Sequence, residues 1–324
     1  MALGCAVVLA GCGLSEFPVN AGGAADAASQ MTPRPSVDAP AARPRDAGAR
    51  DGRSGAAADV APPAASGQVV IDGVPRAKEN VIVFLHLGHS NMAGRTNLPP
   101  EMRPLNFETH PRLWAYAKGG MWRLAKEPLS GDYLTRNGGG PGMSILHTAL
   151  DLAPPDPLMV SIGRGHDGSI GGHCRNFRKG ALLYDFVMAP AMELKGKVTF
   201  GAIFTMLGVN EFRRDLPNLP KFHECLEGIA SDMRGDLGDP LIPFVLGDWE
   251  AGATGDFDPT HDYAITTRAQ MKMAIANIPR AVLIPTEGIP MFDDHHYNLA
   301  GYKIWAERGF ALLKAADLLP WAAE

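Results

Sequence analysis

Residues 81–96, VIVFLHLGHSNMAGRT, run apolar from Val81 to Leu87, broken only by His86, and then stop in Gly88-His89-Ser90-Asn91. A continuous apolar run of this length, without polar alternation, describes a strand covered on both faces, the form strands take in parallel sheets. A serine set between histidine and asparagine directly after such a strand stands where the chain turns out of the sheet. Residues farther along the chain determine whether that serine only caps a helix or does chemistry.

Four further apolar runs lie downstream, at Leu158–Ile162, Val198–Leu207, Leu241–Leu246 and Ala281–Pro285. Helix-period segments lie between and after them, at about 142–152, 181–194, 220–236, 263–277 and 298–316. Five strand-helix units predict a three-layer α/β/α sandwich around a five-stranded parallel sheet, wound by right-handed crossovers. In such sheets ligands sit beyond the carboxyl ends of the strands. The strand ends here read Gly88-His89-Ser90-Asn91, Gly163-Arg164-Gly165-His166-Asp167, Gly208-Val209-Asn210-Glu211 and Gly247-Asp248-Trp249-Glu250, followed by the loop Met291-Phe292-Asp293-Asp294-His295-His296. A polar rim is thus set on an apolar scaffold.

The 324 residues are 46% hydrophobic and 20% charged, enough apolar side chain for a large folded domain, placed here at 68–324. A formal net charge of −5 gives no field to hold nucleic acid, so no nucleic-acid partner is expected. The opening MALGCAVVLAGCG is apolar over signal-peptide length and too short to span a bilayer as a helix. Its Leu9-Ala10-Gly11-Cys12 resembles the bacterial lipoprotein box, which makes 1–12 a signal peptide and Cys12 the lipidated residue that associates the protein with a membrane surface. A small-residue cleavage site of a secreted protein is the other reading, and no basic residue precedes Arg34. Residues 13–67 are dominated by Ala, Pro, Gly, Asp, Arg and Ser, and no aromatic occurs between Phe17 and Phe84. Such a segment buries too little apolar surface to offset its ordering entropy and is expected to be a disordered tether. This layout places the domain outside the cytoplasm, where Cys174 and Cys225 either pair or remain buried thiols.

A serine hydroxyl becomes nucleophilic when a base takes its proton, and the base needs an acceptor on its other nitrogen to fix its tautomer. Asp293 and His296 supply carboxylate and imidazole three residues apart. Asp258 and His261 repeat that spacing in a Gly/Pro/Asp-rich loop with no strand immediately before it, and rank behind. The developing oxyanion needs aimed donors. Asn210 carries an amide after a strand, and the turn Gly138-Gly139-Gly140-Pro141-Gly142 opens a helix whose first N–H groups point outward. Pro141 has no N–H, which leaves Gly140 or Gly142 as the donor there.

Gly88-His89-Ser90-Asn91-Met92, Gly140-Pro141-Gly142, Gly208-Val209-Asn210-Glu211 and Asp293-x-x-His296, in that order, resemble the four blocks of the SGNH, or GDSL-type, hydrolases. More narrowly they are similar to the sialate O-acetylesterase-like and acetylxylan-esterase-like carbohydrate esterases. The resemblance runs from about Val81 to Leu313 and implies a flavodoxin-like fold. It implies Ser90 as nucleophile, His296 as base and Asp293 as its orienter, with the Ser90 N–H, Gly140 and Asn210 forming the oxyanion hole. It also implies a serine esterase that removes small acyl groups, chiefly acetyl, from carbohydrates through an acyl-enzyme, with no metal or cofactor. Two letters depart from the branch: His89 stands where Gln is usual, and the third block ends in Asn210-Glu211 where the branch usually reads Gln-Gly-Glu followed by Ser or Asn.

Other readings remain at this level. A non-catalytic surface carbohydrate-binding domain would keep the same fold, and a metallohydrolase would use Asp293, Asp294, His295 and His296 as ligands. An α/β-hydrolase requires Gly-x-Ser-x-Gly, whereas Met92 occupies the second glycine position. Arg164, His166 and Asp167 are either substrate contacts or a solvated loop, and Trp114, Trp122 and Trp249 either stack on sugar rings or pack in the core.

Overall fold

The computed structural model describes residues 67–94, 96–97, 109–117, 119–129, 138–166, 173–214, 216–247 and 262–323. The signal, the tether up to residue 66, Asp167, Trp249, Asp258 and His261 lie outside them.

One sheet organises the domain. Its strands are β1 (Val81–Gly88), β2 (Leu113–Ala117), β3 (Met121–Leu124), β4 (Leu158–Gly165), β5 (Thr199–Met206), β6 (Phe244–Gly247) and β7 (Ala281–Ile284). The spatial order is β7-β6-β5-β1-β4-β2-β3, parallel throughout except for the antiparallel pair β2-β3. Among the described residues, the expected five-stranded sheet is therefore a seven-stranded one. The five expected strands keep the doubly wound order 2-1-3-4-5 among themselves, and β2 and β3 extend the edge beyond β4. Of the two, β2 is a mostly buried apolar run, Leu-Trp-Ala-Tyr-Ala, missed among the expected strands, whereas β3 escapes a sequence reading for a physical reason. At an edge only one side of the hairpin meets the core, so β3 is largely exposed and carries no continuous apolar run.

The helices are α1 (Ser90–Ala93), α2 (Gly142–Leu152), α3 (Leu182–Leu194), α4 (Val209–Arg214), α5 (Phe222–Leu237), α6 (Asp262–Asn277) and α7 (Leu299–Ala315). Successive side chains of β1 point to opposite faces, which divides the core in two. Val81, Val83, Leu85 and Leu87 pack with Val187 of α3, Ile229 of α5 and Met271 of α6. Ile82 and Phe84 pack instead with Leu146 of α2 and with Trp305 and Phe310 of α7. Both faces of the sheet are thereby covered, which is why β1 reads as unbroken hydrophobic sequence.

Chain ends of the helices follow local chemistry. Asn298 caps α7 by accepting the Gly301 N–H at 2.8 Å, satisfying one of the first-turn donors. Gly238 closes α5 in the left-handed conformation, its N–H reaching the Arg234 and Gly235 carbonyls. Cys174 and Cys225 are bonded to one another, joining a short 3-10 turn at Cys174–Phe177 to α5. No helix among the described residues is long and apolar enough to cross a membrane.

Candidate active site

Strand register brings the blocks to one edge. Gly88 pairs with Gly165 of β4 on one side and with Met206 of β5 on the other, so Ser90, His166 and the Gly208–Asn210 turn leave the sheet side by side. Gly88 allows this closeness, since a Cβ there would lie 2.3 Å from the Met206 carbonyl oxygen. The His89 N–H then donates to that same oxygen at 2.9 Å, and α1 begins at Ser90 with its backbone N–H in the unpaired first turn.

The second block packs onto the far end of α1. Gly94 has φ +89°, and a Cβ on it would stand within 2.8 Å of Gly138 and Gly140 backbone atoms. The glycine run is thus a close backbone contact, in which Gly138–Gly139 pair with Thr96–Asn97, and more than a flexible turn. Behind it sits Glu127. Its carboxylate accepts the Leu129 N–H at 2.8 Å and the Met143 N–H at 3.0 Å, with a further backbone interaction from Gly140. The residue as a whole is half-buried, but its carboxyl group is enclosed. Burial pushes that carboxyl up to about 7, against the lowering effect of the N–H donors and Arg123.

The last loop supplies the histidine expected to act as base. The His296 N–H donates to Asp293 Oδ1 at 2.7 Å, and the ring Nδ1 lies 2.7 Å from Asp293 Oδ2. On the other side of the ring, Nε2 lies 2.7 Å from Ser90 Oγ. A carboxylate only accepts, so Nδ1 donates to Asp293 and Nε2 is left to accept the serine proton. Burial alone would raise Asp293, but N–H bonds from His295 and His296 and the His296 ring bring its carboxyl below the usual range, keeping it charged.

Asn91 holds this loop to the nucleophile turn. Its amide NH2 donates to the His295 carbonyl at 2.8 Å, while its oxygen accepts the Tyr297 N–H at 3.0 Å and the Tyr302 hydroxyl at 3.2 Å. Residues on both sides of the base are thus pinned to the residue beside the serine. Sequence alone gives Asn91 no role, and its position next to the serine is the one signal it carries. Glu127 gives no signal at all.

Asn210 is buried as the second residue of α4, at the same edge as Ser90. His295 stacks on His296 at 3.8 Å between ring centroids and pairs with Asp294, although Phe292 precedes it by three. Asp293, His295 and His296 bring three donor atoms within 4.8 Å of one another. Both oxygens of Asp293 and both nitrogens of His296 are already engaged in the Asp293–His296–Ser90 relay. His86 lies on the α2 face of β1, its Nε2 2.5 Å from Ser161 Oγ, and complete burial pushes its imidazole down to about 3. It is a neutral core residue.

Other expected contacts fall elsewhere. Trp114 donates to the Pro111 carbonyl at the amino-terminal end of the sheet, opposite Ser90, and Trp122 packs on Tyr116. Arg164 lies over the Phe186 ring of α3, and His166 joins the edge through its backbone N–H to the Gly88 carbonyl. A cavity of about 630 Å³ lined by Arg234 of α5 and Asn277 of α6 includes none of the block residues. Hydrogen-bond geometry, and not cavity size, locates the site.

A family model described as "Carbohydrate esterase, sialic acid-specific acetylesterase" matches residues 80–310. Among solved structures, a protein of Arabidopsis thaliana is similar with a TM-score of 0.60 and 16% identity, over 73% of this chain and 98% of its own. The structure of NanS is similar with a TM-score of 0.54 and 14% identity, over 75% of this chain and 99% of its own. A carbohydrate acetylesterase from Xanthomonas citri has a TM-score of 0.52 and 14% identity, over 72% of this chain but only 55% of its own. At these identities the likeness is one of fold. No curated protein matches the chain.

Proposed function

We propose, from the premise that this chain belongs to the sialic acid-specific acetylesterase family of carbohydrate esterases and is a carboxylic-ester hydrolase, that it removes acetyl groups from sugar hydroxyls through a Ser90 acyl-enzyme. The observation that carries this reading is the continuous relay Asp293–His296–Ser90, with both links at 2.7 Å.

In this mechanism His296 Nε2 takes the Ser90 proton as Oγ attacks the ester carbonyl. The charge that develops on the carbonyl oxygen is met by the Ser90 N–H and the Asn210 side chain, while the Gly140 N–H expected to join them is directed to the Glu127 carboxylate. Collapse of the tetrahedral intermediate breaks the ester C–O bond, and His296 returns its proton to the departing sugar hydroxyl. Water then attacks the acyl-serine with His296 again as base, releasing acetate and restoring Ser90. Asp293 stays ionised throughout and stabilises the imidazolium.

Hydrolysis of p-nitrophenyl acetate is expected to fall roughly a thousandfold in Ser90→Ala, and fluorophosphonate labelling to disappear with it. Equal rates in parent and variant would refute the assignment. Acetate release from acetylated xylan, sialic acid, pectin and peptidoglycan, with Ser90→Ala as blank, identifies the sugar. Glycan binding without turnover would favour a non-catalytic binding domain. We also place the protein outside the cytoplasm, held by lipid on Cys12. The Cys174–Cys225 disulfide supports that compartment. Palmitate incorporation that is lost in Cys12→Ser tests the anchor.

A further inference from the structure

We infer that Glu211 is a positioning residue that ties the disulfide-closed segment at Cys174 to the nucleophile turn and to the turn carrying Asn210. The inference rests on the roles proposed for Ser90 and Asn210.

Glu211 is 3% exposed. One carboxylate oxygen accepts the Gly208 N–H at 2.8 Å, and the other accepts the Cys174 N–H at 2.6 Å. The Nε2 of His89, the residue immediately before Ser90, stands 3.6 Å from that second oxygen. The His89 ring also packs on Phe177, whose ring centroid is 6.1 Å away. A single buried carboxylate therefore touches three pieces of chain that are remote in sequence. Two of them carry candidate oxyanion donors, and the third is covalently joined to α5 through Cys225.

A carboxylate in this surrounding is stable only while N–H donors face it, so no one of the three segments moves without exposing a charge that is already desolvated. That makes the arrangement a coupling element and not a local cap. His89, where relatives of this branch have Gln, and Glu211 at the end of the third block face each other here. Glutamine at 211 has the same shape but offers one acceptor oxygen and one NH2, so one of the two backbone N–H groups would face a donor.

The test uses the full chain and p-nitrophenyl acetate. In Glu211→Gln, kcat is expected to fall about tenfold with KM within about twofold of the parent, the split expected when transition-state geometry and not binding is lost. Glu211→Asp, which keeps the charge on a shorter stem, serves if the Gln variant does not fold, with a fall in the same direction. The paired Cys174→Ser/Cys225→Ser variant is expected to lower kcat as well, and adding Glu211→Gln to it to lower kcat by less than the product of the separate effects. A kcat unchanged in variants whose melting temperature drops would mean a purely stabilising role and overturn the proposal, as would full multiplicativity. Amide exchange gives a readout independent of turnover. Protection across 86–92, 173–177 and 206–211 is expected to fall together in Glu211→Gln. Unchanged protection in these segments overturns the proposal whatever the activity, whereas an inactive parent whose variant loses protection counts against the triad and not against Glu211.

Discussion

At the scale of single residues, the site depends on side chains that hydrogen-bond through both their donor and their acceptor atoms. Asn91 gives its NH2 and its oxygen to the loop that carries His296. Asn91→Ala is expected to lose about 2–3 kcal/mol of stability in urea denaturation and to lower kcat by about tenfold or more, because the base is no longer fixed on both sides. Full activity in that variant would show that Asp293 alone sets the loop. Glu127 gives a pH signature. Its folded value of about 7 lies above the ordinary 4.5, so between those values the folded chain holds more protons than the unfolded one. Stability due to this group is therefore complete at low pH and lost as pH rises toward 7. Relative to Glu127→Gln, the parent is expected to lose about 3 kcal/mol between pH 4.5 and 7.5 in urea titrations, and parallel curves would contradict this. The juxtaposition of Ser90, Asp293 and His296 was legible because their residue types and spacing suit one another, and Asn210 was legible as a residue of the same sheet edge. Glu127 was not, because a carboxylate that caps a helix start from a loop has no sequence period.

At the scale of elements, β1 decides the fold through its two-sided burial, and Phe84 shows its strength. The ring is fully buried, edge-on to Phe310 at 5.6 Å and to Trp321 at 5.4 Å. Phe84→Ala is expected to cost about 3–5 kcal/mol, measured as a shifted denaturation midpoint, since α7 and the last residues cannot collapse into the space left. A cost under about 1 kcal/mol would mean that this face repacks freely. The five parallel strands and the five long helices were recovered from apolar runs and helical period to within a few residues. The hairpin β2-β3 was not: the exposed edge strand β3 carries a diluted pattern, and β2 is a five-residue apolar run too short to stand out by itself.

For the molecule as a whole, the Cys174–Cys225 bond spans 51 residues, which enclose α3, β5 and α4. By loop-closure entropy, replacing both cysteines with serine is expected to cost about 4 kcal/mol in thermal or urea unfolding, and an unchanged midpoint would show that the enclosed segment is already restrained when unfolded. Sequence left this pairing open because two cysteines far apart in the chain give no measure of their separation in space. The strand order that brings them together comes from crossover topology, which only the folded arrangement displays.

The relay joins residue 90 to residue 296, 206 positions apart, across the first and last strand-helix units. Ser90 and its base are therefore strangers until α7 docks on the sheet face that Phe84 occupies. A chain emerging from a ribosome carries Ser90 without this partner until residue 296 has been made. The proposed hydrolysis therefore requires the first and the last strand-helix units together, so ester turnover would report that both ends of the domain are in place.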